Sequence, residues 1–151
     1  MKTTIPLLCA LALLATPAFA DEAKKPAPPA PAPAVAEVKI VTPDEVEKLV
    51  ADKGQHITVL DVRTPEEYEM GHIAGAVNAS FLDADFARRI GVMDKTRTYI
   101  VHCAGGTRSQ RSLPLLQAAK FGTILHMSGG YKAWVDAGKP VETAKDKAQT
   151  K

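Results

Sequence analysis

Tyr99-Ile100-Val101-His102-Cys103-Ala104-Gly105-Gly106-Thr107-Arg108-Ser109 joins an apolar run to a small-residue loop and then to a helical pattern. The run is β-rich and short enough for a buried strand. The loop opens on a cysteine and carries two glycines. Such a strand-to-helix turn lets backbone N–H groups converge on one atom, with a helix N-terminus aimed at it. Arg108 adds a positive charge nearby, and the setting as a whole favours a thiolate over a thiol. A buried cysteine acting as a small hydrophobe fits this flank poorly. The loop is the place to look for function.

Outward from it, helical and strand signals alternate. Thr42-Pro43-Asp44-Glu45 is a capping box, with Thr42 as N-cap, Pro43 at N1 and Glu45 at N3, and Gly54 ends the helix. Residues 57–60 form a β-branched run. Thr64-Pro65-Glu66-Glu67 repeats the capping design, and Glu66 and Glu67 are accounted for by that helix start alone. Residues 73–77 suggest a strand, 82–90 a helix and 98–102 the strand that carries Cys103. Residues 107–120 read as the helix behind it, with Pro114 expected to kink it or push its regular part downstream. A strand over 123–127 and a helix over 130–137, closed by Gly138, complete the order. This alternation predicts an α/β fold with a parallel sheet covered on both faces. Ligands in such folds bind beyond the carboxyl ends of the strands, where Cys103 lies.

The ends of the chain read differently. Lys2, an apolar stretch over 5–15 and Ala18-Phe19-Ala20 have the layout of a signal peptide cleaved after Ala20. The stretch is shorter than the roughly 20 residues a permanent span needs, so no stable membrane insertion is expected. Cys9 lies within it and leaves with it. The expected destination is a bacterial periplasm. Oxidising compartments use cysteines in pairs, and Cys103 is left with no partner. Residues 21–36, rich in Ala, Pro and Lys, read as a semi-rigid tether, 37–143 as one domain and 144–151 as a polar tail. Lys and Arg number 19 against 17 Asp and Glu. The near balance, with 5% aromatic residues, gives no footprint for nucleic acid.

Three stretches resemble the rhodanese domain in its single-domain form. They are Leu60-Asp61-Val62-Arg63-Thr64-Pro65-Glu66-Glu67-Tyr68 with Gly71-His72-Ile73-Ala74-Gly75-Ala76-Val77-Asn78, then the Cys103 loop, then Ser128-Gly129-Gly130-Tyr131-Lys132-Ala133-Trp134 with Ala137-Gly138-Lys139-Pro140-Val141. The resemblance implies a rhodanese-like, five-stranded parallel sheet with helices on both faces. It also implies a sulfurtransferase whose Cys103 carries a sulfane sulfur as a persulfide. The donor would be a small anion such as thiosulfate, and the acceptor a thiol or cyanide. Residues 104–109 (Ala104, Gly105, Gly106, Thr107, Arg108 and Ser109) would bind the anionic sulfur through N–H groups, the Arg108 charge and the Ser109 hydroxyl. Asp61 and Arg63 match an Asp-x-Arg after a central strand, read as an ion pair fixing the strand-end loop, with Arg63 adding to the anionic field. The chemistry requires no metal or organic cofactor.

Other readings stay open. A persulfide carrier or interaction module, docking a partner with the tether supplying reach, would use the same cysteine without turning over; under either reading the chain is expected to be a monomer, with a redox protein as a candidate partner. The tyrosine-phosphatase signature is similar but places five residues between cysteine and arginine, whereas four stand here, a tighter cradle suited to sulfur; phosphatase and arsenate-reductase chemistry are remote alternatives. His72 reads as a hydrogen-bonded structural residue, His102 and His126 as core or rim, and Trp134 as core. The histidines and single cysteine have no zinc-ligand spacing. Ala104 and Gly105 are uncharged where thiosulfate-preferring members often carry basic residues, which implies modest activity with thiosulfate. Lys120-Phe121 stands where the family commonly has Gly before an aromatic.

Overall fold

The computed structural model describes residues 37–52 and 54–143. The signal-peptide, tether and tail readings fall outside those residues. In chain order the elements are β1 (Val38–Val41), α1 (Pro43–Ala51), β2 (Ile57–Asp61), α2 (Pro65–Met70), β3 (His72–Ile73), β4 (Val77–Asn78), α3 (Phe86–Gly91), β5 (Thr98–His102), α4 (Thr107–Ala118), β6 (Thr123–Met127), α5 (Gly130–Asp136) and β7 (Val141–Glu142). Five strands form one sheet in the order β1-β6-β5-β2-β4, every pairing parallel. β3 and β7 make a separate antiparallel pair. No helix among the described residues is long and apolar enough to cross a membrane.

Side-chain alternation along the strands divides the interior in two. Leu60, Tyr99, Val101 and Ile124 pack with Phe86 and Ile90 of α3 and Leu116 of α4. Val59, Ile100, Leu125 and Met127 point the other way, against Val46 of α1 and Trp134 of α5. The sheet is thus sandwiched, α3 and α4 on one face, α1 and α5 on the other. β5 lies in the centre, so its carboxyl end is held by neighbours on both sides. Cys103 follows it directly.

Local chemistry explains most element starts. Both capping boxes form: Thr42 accepts from the Glu45 N–H while Glu45 reaches back, and Thr64 and Glu67 repeat the exchange. Four differences from the sequence reading have physical causes. Residues 73–77 are not one strand, because Gly75 at φ +71 turns the chain between β3 and β4. The helix expected from residue 82 begins only at Phe86, after hydrogen-bonded turns at Asp83 and Phe86. α1 ends at Ala51, short of Gly54, because Asp52 leaves the helix at ψ 92 and its carboxylate accepts the Gly54 N–H at 3.0 Å. Pro114 neither breaks nor delays α4. It sits on the exposed side above exposed Gln110, so the carbonyl that lost its N–H partner can turn to water.

Lys120 accounts for another departure. It follows α4 at φ +61, the one non-glycine residue with positive φ among those described. The Phe121 N–H closes the turn onto the Leu116 carbonyl at 3.2 Å. A helix end of this kind favours glycine, and here a lysine adopts it.

Candidate active site

Cys103 follows β5 directly, lies inside the α3/α4 core cluster and is 1% exposed. Gly106 is the N-cap of α4 at φ +104, a conformation that a side chain would strain. That turn brings the Gly106 N–H to 3.1 Å from the Cys103 sulfur. The Ser109 hydroxyl lies 3.5 Å from the same sulfur. Burial pushes the thiol up, yet the Ser109 hydroxyl and the N–H groups of Ser109, Gly106 and Gly105 outweigh it, and Cys103 ionises below the ordinary thiol range. Gly105 differs from Gly106: it is exposed, and a Cβ there would meet nothing within 4 Å.

A second element fixes the loop from behind. The Tyr131 N–H donates to the Cys103 carbonyl at 2.7 Å and the Lys132 N–H to the Ala104 carbonyl at 2.9 Å. The start of α5 therefore turns both loop carbonyls away from the sulfur. Gly130 makes that approach possible, for a Cβ there would stand 2.4 Å from the Cys103 carbonyl oxygen. This support comes from residues 27 and more positions downstream, and the Gly129-Gly130 pair was its only trace in the sequence.

Arg108, expected to lend its charge to the loop, is engaged by a neighbouring helix. Its guanidinium holds Glu67 of α2 through two hydrogen bonds, of 2.6 and 2.7 Å. The Arg108 hydrogen bonds outweigh partial burial and hold the Glu67 carboxyl down at about 2. Glu67 is therefore more than a helix-start residue, and the positive charge beside the loop already has a counter-ion.

Asp61 and Arg63 form a buried pair. The Arg63 Nε and Nη2 donate to the Asp61 carboxylate at 2.6–3.0 Å, and Nη2 also reaches the Gly71 carbonyl at 2.7 Å. The guanidinium carbon lies 3.9 Å from the centroid of the Tyr131 ring. This ties the β2 end to α2 and α5. His102 is fully buried, and burial holds its pKa down against the attraction of Asp61. His72 places Nδ1 2.9 Å from the Tyr68 carbonyl and stacks on the Tyr68 ring. Trp134 is buried, with its indole N–H on the Pro140 carbonyl. His126 is half-buried, as its core-or-rim reading has it, and its Nε2 lies 2.9 Å from the Ser109 hydroxyl. Beside the loop, a pocket of about 270 Å³ is walled by Ala104, Arg63, Glu67, Tyr131 and Lys132.

A family model described as the rhodanese-like domain matches residues 42–137. Thiosulfate sulfurtransferase 16, chloroplastic, of Arabidopsis thaliana is 33% identical over 93 residues, which cover 55% of this chain and 78% of that protein. The probable adenylyltransferase/sulfurtransferase MoeZ of Mycobacterium tuberculosis is 29% identical over 102 residues, 66% of this chain but 25% of that protein. The chain thus spans about a quarter of the length of that relative. Among solved structures, the rhodanese-like domain protein from Staphylococcus aureus superposes with a TM-score of 0.60 at 30% identity, over 70% of this chain and 97% of that one. The match spans the β5 loop, the capping boxes and the clamp from α5 alike, and the chain belongs to the rhodanese-like domain family.

Proposed function

We propose that the protein is a sulfurtransferase in which Cys103 is the nucleophile and carries the sulfur as a persulfide. One observation carries the reading: hydroxyl and N–H donors converge on the Cys103 sulfur from the loop 104–109. The thiolate attacks the outer sulfur of thiosulfate, the S–S bond breaks, and sulfite leaves with its electron pair. The resulting Cys–S–S⁻ keeps its negative charge within reach of the loop donors, which act as preorganised electrostatic stabilisers. An acceptor then attacks the outer sulfur. Cyanide leaves as thiocyanate, a thiolate leaves as its own persulfide, and the Cys103 thiolate is regenerated.

Ala104, Gly105, Gly106, Thr107, Arg108 and Ser109 form the anion-binding loop in this scheme, and Asp61 with Arg63 fixes the end of β2 beside it. The pairing of Arg108 with Glu67 favours a sulfur donor less dependent on anionic attraction than thiosulfate, or a protein partner that loads the cysteine. The signal-like layout of the first twenty residues supports a periplasmic location for this activity. The test is Cys103→Ser, whose hydroxyl does not ionise in this loop. Thiocyanate formation from thiosulfate and cyanide should vanish while the circular dichroism spectrum is kept. Continued transfer by the serine variant would refute the assignment. Stoichiometric loading of the wild type without thiocyanate release would leave a sulfur carrier in place of an enzyme.

A further inference from the structure

Resting on the reading of Cys103 as nucleophile, we infer that His126 of β6 is a positioning residue that acts through Ser109 to hold the serine's hydrogen on the Cys103 sulfur. The geometry is a chain of three side chains. His126 Nε2 lies 2.9 Å from Ser109 Oγ, and Ser109 Oγ lies 3.5 Å from Cys103 Sγ. The same Oγ is 2.8 Å from the Gly106 carbonyl oxygen. Ser109 is buried, with no exposed surface, so these three neighbours contend for its single hydrogen.

Counting donors decides what His126 must do. A hydroxyl has one hydrogen and two lone pairs, and a carbonyl oxygen only accepts. With its hydrogen on Nδ1, His126 would accept from Ser109 and draw the hydroxyl hydrogen away from the sulfur. With its hydrogen on Nε2, the imidazole donates to Oγ and leaves the hydroxyl free to donate onward. A hydroxyl that accepts one hydrogen bond is a better donor of the next. The thiolate, once charged, competes well against the Gly106 carbonyl for that hydrogen.

The fold keeps His126 suited to this. Burial pushes its pKa down, opposed only by the Gly106 carbonyl, so the ring stays neutral and its tautomer is the variable. Its register neighbours on the adjoining strands are Ile40 and Val101, neither titratable. Across the sheet face, α4 offers Ser109. Arg108, the nearest cation of the loop, is occupied by Glu67.

The test follows Cys103 ionisation, not turnover, so it fails separately from the sulfurtransferase reading. The rate of alkylation of reduced protein is measured against pH for the wild type, Ser109→Ala, His126→Leu, His126→Gln and the double variant Ser109→Ala/His126→Leu. Ser109→Ala should raise the apparent thiol pKa, and His126→Leu should raise it nearly as far, each unit lowering the thiolate fraction below the pKa about tenfold. His126→Gln, with an amide N–H for Oγ, should recover most of the loss. The double variant should match Ser109→Ala alone. An undiminished effect of His126→Leu in the Ser109→Ala background, or no effect in the wild type, would overturn the relay. On the unmodified protein, long-range ¹H–¹⁵N spectra should show the Nε2–H tautomer, and the Nδ1–H tautomer would equally overturn it.

Discussion

Arg108 on α4 and Glu67 on α2, 41 positions apart in the chain, face each other as a two-pronged ion pair at the edge of the Cys103 loop. The geometry spends both outer nitrogens of the guanidinium on one carboxylate. Arg108 still feels the cysteine, since Cys103 contributes to the rise in its pKa after Glu67. Its charge is present but neutralised, and the loop is less anion-attracting than its sequence suggests.

Removing that neutralisation should show in the choice of donor. Glu67→Gln keeps the size of the side chain and removes its charge. We expect kcat/KM with thiosulfate to rise about three- to tenfold, the scale of about one kcal/mol of barrier, with little change for an uncharged donor. Arg108→Ala, which leaves the Glu67 carboxylate unopposed near the sulfur, should raise the Cys103 pKa. A Glu67→Gln enzyme with unchanged or poorer thiosulfate use would show that the pair does not limit anion entry.

The same pair makes a pH prediction. Glu67 titrates at about 2 in the fold against an ordinary 4.5. A carboxyl depressed by folding adds stability that is complete above its unfolded pKa and fades as pH falls through the folded one. The stability gap between wild type and Glu67→Gln should thus be constant above about pH 5 and close between 4.5 and 2. With both side chains roughly a quarter exposed, the gap should be on the order of 1 kcal/mol or less. Urea titrations at several pH values measure it, and a gap that widens on acidification would contradict the ion pair.

Gly130 should tolerate no side chain. Its φ is +61, and a Cβ would press on the Cys103 and Ala104 carbonyl oxygens at 2.4 and 2.7 Å. Gly130→Ala is expected to lose at least tenfold in sulfur transfer as the loop shifts. It should also lose more than about 1 kcal/mol of stability from strain. Gly138→Ala is the control, with a similar φ of +68 and nothing within 4 Å of the added carbon. It should show the strain without the loss of activity. Equal activity in the two variants would remove the clamp from α5 as a support of the loop.

Much of the fold was legible because its signals are local. The two capping boxes need only four adjacent residues each, and β2, β5 and β6 are β-branched or apolar runs bounded by turn residues. β1 escaped notice because Val38–Val41 pairs on one side only and leaves Lys39 and Ile40 exposed, so it lacks an unbroken apolar run. The split at Gly75 depends on a positive φ that the pattern of residues 73–77 does not announce. In the site, the cysteine, the glycine turn and Ser109 sit together in sequence. Glu67, His126 and the N–H groups of Tyr131 and Lys132 join them only through the sheet. Such partners leave no local signature.

Lys120 marks a position where the chain can be stabilised. Its left-handed conformation at the end of α4 costs a side chain about 1 kcal/mol relative to glycine. Lys120→Gly should raise the midpoint of thermal unfolding by a few degrees and leave Cys103 reactivity as it was. An unchanged or lower midpoint would mean that the lysine side chain contributes as much as its backbone strain removes.

Whether Cys103 holds transferable sulfur is read by intact mass spectrometry of the protein after exposure to sulfur donors. Thiosulfate and a polysulfide are offered separately, and the product is digested to locate the change. A gain of one sulfur atom on Cys103 is expected, removed by cyanide or a thiol and absent in Cys103→Ser. Sulfur transfer that proceeds with Cys103 unmodified and dispensable would contradict it.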